Sequence, residues 1–179
     1  MNPKGKVPLL MHHGLKMIDS EVIMKYVDQL KGAENSLLSV CGEEGFQKAL
    51  DMSSSIGGHR ARICFSSDAT KDDADFFKTV LSNVDKAIQG PYLLGGNMSL
   101  ADLALFPFFN AWDFVMKRLM ELEGVSGDSI EAFASQWPNV QKYCQLMNQK
   151  PFIMKTFVED NDFAKFVDNY GPDVPAVIS

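Results

Sequence analysis

Short apolar runs open the chain, and long stretches with helical spacing follow; that change of period divides the sequence. Val7-Pro8-Leu9-Leu10-Met11 is one run and Leu15 to Ile18 another, with Met11-His12-His13-Gly14 turning between them. The pair predicts a β-hairpin, and Pro8 confines its strand to a beginning, an edge or a bulge. Asn2-Pro3 and Lys4-Gly5 read as a turn leading in. Asp19-Ser20 then offers a helix start, with Val22, Ile23, Tyr26, Val27 and Leu30 at helical spacing up to Lys31-Gly32. Residues 32–38 read as a linker.

Every later signal is helical. A helix is expected over 43–56, with Phe46, Ala49, Leu50 and Met52 on one side. The cluster Ser53-Ser54-Ser55 and Gly57-Gly58 predicts a bend or break, with a continuation over 59–65. Residues 72–89 carry the stripe Phe76, Phe77, Val80, Leu81, Val84 and Ile88, ended by Gly90-Pro91. From Ser99 a helix apolar nearly all round runs through Leu103, Phe106, Trp112 and Val115, as expected of a buried centre, with a kink at Pro107. Residues 139–149 form another helix. Pro151 opens the next, which carries Phe152, Ile153 and Phe157, and a last short one shows Phe163, Phe166, Val167 and Tyr170. The PDVPAVIS tail is not regular helix.

Composition narrows the function classes. At 179 residues the chain suits one domain, or one domain plus a fragment, and its 46% apolar and 22% charged content is that of a globular protein. A net charge of −6 argues against nucleic acid, which needs a basic face. No run approaches the ~18 apolar residues of a membrane span, so no membrane partner is expected. The N-terminus has too few apolar residues for a signal peptide. Cys41, Cys64 and Cys144 are odd in number and form no CxxC, so neither a disulfide framework nor a metal site is expected. A reducing, cytoplasmic setting is the default.

Candidate chemistry is sparse. Ser99 and Asp102 have the spacing of a Ser/Asp pair, but a structural capping box explains it better: each side chain reaches the other's backbone N–H. Phe108, Phe109, Trp112, Phe114 and Met116 could line a hydrophobic substrate pocket; core packing is the more economical reading for most, with Trp112 the one expected to face a pocket. His59, Arg60 and Arg62 read as a solvated basic spot, and His12-His13 lacks a third metal ligand. No cysteine has the base or helix-start context of a nucleophile.

Four motifs carry a resemblance. NPKGKVPLL resembles the turn and third strand of the thioredoxin-like domain of cytosolic glutathione transferases, and DSEVIMKYV the acidic-Ser opening of its third helix. GPYLLGGNMSLADLALFPFF is similar to that superfamily's loop and capping box before the central helix, and WPNVQKYCQLMNQKPFIMKTF to its closing helices. The flavour is nearest the omega, lambda and dehydroascorbate-reductase branch. The resemblance implies a mainly α fold, with a transferase C-terminal helical domain after a partial thioredoxin-like β-β-α fragment. The division expected is 1–31 fragment, 32–38 linker, 39–171 all-α domain and 172–179 tail.

It also implies glutathione as co-substrate. A cis Val7-Pro8 bond would let Val7 pair with the cysteinyl unit in strand-addition fashion; a plain edge strand is the other reading. Asp19 and Ser20 would take the γ-glutamyl end at a helix N-terminus, unless they merely cap the helix. Lys6 would meet the glycyl carboxylate. Family members begin with a strand, a helix and a further strand, a unit of roughly 30 residues or more, which carries the catalytic residue. That unit is missing here, so a truncated start is expected and the catalytic residue is unknown. Conjugation of a small electrophile, or thiol–disulfide or dehydroascorbate-type reduction, is the expected activity. A non-catalytic interaction or scaffold module is the alternative, and under either reading a homodimer or larger assembly is expected.

Overall fold

The computed structural model describes residues 5, 7–156 and 159–170. Lys6, Phe157 and the 172–179 tail, which entered the expectations above, lie outside the described residues. The element order is β1 (Leu9–His12), β2 (Leu15–Ile18), α1 (Ser20–Gln29), α2 (Leu38–Phe65), α3 (Lys71–Ala87), α4 (Leu100–Leu105), α5 (Trp112–Glu123), α6 (Ile130–Ala134), α7 (Pro138–Asn148), α8 (Pro151–Met154) and α9 (Asp160–Tyr170). A β-β-α fragment thus leads into a helical body, the mainly α architecture expected from the motifs.

β1 and β2 pair antiparallel, from Leu9↔Ile18 to His12↔Leu15. His13 (φ 46°) and Gly14 (φ 80°) make the two-residue turn. Both sit in the left-handed region that a type I′ hairpin requires. The strand starts at Leu9 rather than Val7, because Pro8 has no N–H to donate to the ladder. Met11 (64% exposed) and Leu15 (53%) remain open to solvent, while the paired Leu10 and Met17 are half-buried.

Two anchors fix this fragment to the helical body. The buried Asp28 carboxylate accepts from Ser36 Oγ (2.6 Å), Leu37 N (2.8 Å) and Leu38 N (3.1 Å), holding residues 36–38 at the entry to α2. Residues 33–35 form a 3-10 turn within the expected linker. Lys25 then reaches from α1 to Glu43 at 2.7 Å and lies over the Phe46 ring.

Three expectations about the helices are corrected. α2 does not break at 53–58; its only non-helical residue is Gly42. Ser53 Oγ lies 2.7 Å from Ala49 O and 3.0 Å from Ala104 O, sharing one proton between its own helix and α4. A Cβ at Gly57 would come within 2.6 Å of the Phe108 ring. The small residues serve close packing, not a hinge. Phe76 leaves the stripe and is 63% exposed, stacked on His59, because adjacent helical residues point about 100° apart and Phe77 takes the core. Finally, Pro107 does more than kink a helix. Residues 106–109 form a 3-10 turn, and Ala111 (φ 53°, ψ 42°) separates α4 from α5. α6, with Ser129 as its cap, had no clear sequence signal.

The core lies between α2, α3, α4, α5 and α7, where Phe46, Ile56, Leu81, Leu105, Leu119, Val140 and Met147 are fully buried. At its centre Asp102, also fully buried, closes a capping box with Ser99. Its carboxylate accepts from Ser99 N (2.8 Å), Ser99 Oγ (3.0 Å) and Leu93 N (2.8 Å). Tyr143 Oη on α7 donates to the Asp102 carbonyl at 3.3 Å.

Asp102→Ala strands two buried backbone N–H groups and is expected to cost about 2–4 kcal/mol in urea unfolding. A loss below about 1 kcal/mol would place the anchor elsewhere. Asp28 generates a pH prediction. Burial alone would raise its pKa, but the Ser36 hydroxyl and the Leu37 and Leu38 N–H groups outweigh it and hold the carboxyl below its ordinary value. The stability it contributes is therefore present above the unfolded pKa of about 3.9. It is lost as pH falls through the lower folded value. Asp28→Ala should lower stability by ~1–3 kcal/mol at pH 7 and flatten the acid limb of a pH–stability curve; an unchanged limb would refute this.

Candidate functional site

The hairpin register decides where the candidate binding residues fall. With Leu9 opposite Ile18, Val7 and Pro8 precede, and Asp19 and Ser20 follow, the same open end of the hairpin. The Val7–Pro8 peptide bond is cis. Val7 is 89% exposed. The open end of the hairpin thus meets the first turn of α1, where backbone N–H groups lack intrahelical partners and favour an anion.

Asp19 is the helix cap, at φ 92°. Its Oδ1 accepts from Glu21 N (2.9 Å) and Val22 N (3.4 Å). The Ser20 hydroxyl has no hydrogen-bond partner among the described residues. Nearby, His12 Nδ1 and Tyr26 Oη lie 2.8 Å apart, so this histidine braces α1 against the hairpin.

The aromatic candidates separate. Phe109 and Trp112, with ring centroids 5.7 Å apart, line a cleft of about 800 Å³ between α5, α6, α7 and the start of α9. Asp113, Glu131 and Glu159 lie on its walls, with Cys144 below. Phe108 is not among these lining residues and packs on Gly57 of α2.

The basic spot separates as well. His59 stacks on Phe76, and Arg62 pairs with Asp68 (2.7 Å) and Asp73 (3.1 Å). Arg60, expected on the solvated surface, instead turns inward: its guanidinium carbon lies 4.5 Å from the Phe163 ring centroid, and Nη2 donates to Asn110 O at 2.8 Å. Burial lowers its pKa from the ordinary value. Sequence reasoning missed this residue, although its spacing from Ile56 and Cys64 puts it on the buried face of α2.

Two of the three cysteines, Cys64 and Cys144, are buried thiols. Burial pushes Cys64 up to about 11, with Arg60 and Arg118 offsetting only part of the effect. Burial also raises Cys144 far above the ordinary thiol value. Cys41 is partly accessible, its Sγ 3.6 Å from Leu38 O and 3.7 Å from Leu37 O.

A β-β-α fragment docked on a helical body whose central helix opens with a buried capping box defines the two-part frame of a cytosolic glutathione transferase. The model of the glutathione S-transferase C-terminal domain matches residues 42–146, and that of the N-terminal domain matches residues 1–35. The chain belongs to the glutathione S-transferase family. It is similar to glutathione S-transferase L1 of Arabidopsis thaliana, with 28% identity over 165 residues, covering 88% of this chain and 67% of that protein.

The cysteine environments predict selective alkylation. Since the thiolate is the reactive form, native protein treated with iodoacetamide near neutral pH should gain one adduct, at Cys41, by intact mass and peptide mapping. Rapid labelling of Cys64 or Cys144 would contradict their burial.

Proposed function

We propose that this chain binds glutathione at the open end of the hairpin. What supports the reading is that Val7, exposed just before β1, and the Asp19-capped start of α1, just after β2, leave the same open end of the hairpin. Family membership supports it. Val7 offers backbone groups to the cysteinyl unit, and Ser20 and the first turn of α1 take the γ-glutamyl carboxylate. Asp19 pairs with the γ-glutamyl ammonium through the carboxylate oxygen not used in capping, and Lys6 serves the glycyl end. Glutathione is then the co-substrate of conjugation, or of thiol–disulfide or dehydroascorbate-type reduction. In conjugation its thiolate sulfur forms a bond to an electrophilic carbon, and the leaving group departs with its electron pair. The group that promotes the thiolate is assigned to no described residue. The setting is cytoplasmic, the second substrate a small electrophile or disulfide, and the protein a homodimer.

A second reading is a non-catalytic transferase-like interaction module. The exposed apolar side chains of Met11 and Leu15 favour it, since a docking partner would cover them.

Two substitutions separate binding from capping. Ser20→Ala should weaken glutathione binding by about 1–3 kcal/mol in calorimetric titration. Asp19→Asn preserves the cap, because Asn and Asp cap about equally, but removes the charge that meets the ammonium. It should lower affinity while leaving the melting temperature in place. Unaltered affinity in both variants would mean that the site has been misplaced.

A further inference from the structure

The cleft between α5, α6, α7 and the start of α9 stands apart from the open end of the hairpin. The start of α4 abuts the chain entering α2, since Leu100 N donates to Leu37 O at 3.1 Å. Phe109 and Trp112 lie past the opposite end of α4, at and beyond the 3-10 turn. At about 800 Å³ the cleft has the size that takes a small molecule.

Its floor is apolar and fixed. Phe109, 3% exposed, is held edge-on to Tyr143 with ring centroids 6.2 Å apart. Trp112 tilts against Phe109 at 55° and is only partly covered, so its ring serves as a wall. The Cys144 thiol, 5% exposed, also lines the cleft and has no hydrogen-bond partner among the described residues. Buried polar groups normally have one.

The polar walls carry acidic groups and no basic ones. Asp113, Glu131 and Glu159 line the cleft, and among the described residues no lysine, arginine or histidine does. None of the three carboxylates has an ion-pair or hydrogen-bond partner among the described residues. Lys25, Arg62 and Lys78, by contrast, each meet two carboxylates elsewhere. Helix capping does not employ Asp113 or Glu131 either. Ser129 Oγ caps α6 by accepting from Ala132 N at 3.1 Å, and α5 starts at Ala111 without a side-chain cap. Like charges grouped around one cavity disfavour each other, and a cation placed among them reverses the sign of that interaction. An indole face beside the carboxylates attracts the same cation.

We propose that this cleft binds an arylalkylammonium, a protonated amine carried on a flat apolar body. The body lies against Phe109 and Trp112, with Cys144 at its base. The ammonium sits among Asp113, Glu131 and Glu159. This site is independent of the glutathione reading and does not rest on it.

The test titrates the whole chain, without glutathione, with phenethylamine and its uncharged analogue phenethyl alcohol near neutral pH. Calorimetry gives the affinities, and tryptophan emission gives the place, because the other tryptophan, Trp137, is 2% exposed. The amine should bind at least about fivefold more tightly than the alcohol and change the emission. Trp112→Phe should silence that change while calorimetry still registers the amine. Asp113→Asn, Glu131→Gln and Glu159→Gln combined should bring the two affinities within about twofold of each other, with the alcohol's moving less than about twofold. All three side chains are exposed, and the amides keep their shape. Equal binding of amine and alcohol by the unaltered chain overturns the proposal. So does an amine preference that survives the triple variant, or an emission change that survives Trp112→Phe. Should the triple variant not fold, salt decides on the unaltered chain. The preference must fall at least about twofold between about 0.05 M and about 0.5 M sodium chloride, and a preference independent of salt overturns the proposal.

Discussion

The helical body depends on a carboxylate with no water around it. Asp102 is fully buried, and a bare ion there would be unfavourable by several kcal/mol. Two backbone N–H groups and a serine hydroxyl offset this, and the charge makes each bond stronger than a neutral one. One residue thereby ties the 91–99 loop, the start of α4 and, through its carbonyl, Tyr143 of α7. α4 in turn lies against the small-residue face of α2, where Ser53 and Gly57 permit the approach. Fixing α4 therefore fixes the long helix on which both the hairpin fragment and Arg60 depend.

The fragment is held to that body by polar contacts more than by apolar burial. Asp28 gathers the chain entering α2, Leu100 N donates to Leu37 O at 3.1 Å, and Lys25 spans from Glu21 to Glu43. The hairpin thus takes its orientation from Asp28 and Lys25 as well as from packing, while Leu9, Met11, Leu15 and Ile18 stay exposed. Two paired strands alone are marginal in water. Their order here is set by α1 and by what the helical body grips, not by a sheet of their own.

The satisfied core and the unsatisfied corner stand in contrast. Around Asp102 and Asp85 every acceptor meets a donor: Asp85 Oδ1 takes Asn139 N at 2.7 Å and Val140 N at 2.9 Å. At Arg60 and Asn110 the same chain leaves Arg60 Nε and Asn110 Oδ1 without a partner, beside Ala111 at φ 53°.

Periodicity and punctuation in the sequence were enough for the hairpin, for α1, α3 and α7 and for the SLAD capping box, because each rests on contacts a few residues apart; the family came from the resemblance of four motifs. Caps, i to i+3 spacing and turn residues are local physics. What tertiary structure decided lies where distant segments meet. Whether Ser53 to Gly58 breaks a helix depends on Phe108 and Ala104, some fifty residues away. Whether Phe76 or Phe77 enters the core depends on which face α3 turns inward. Whether Arg60 is solvated or buried depends on Asn110 and Phe163. In each case the sequence supplied residue type and spacing, and long-range packing chose the environment, since burial and charge pairing belong to the folded neighbourhood rather than to the residue.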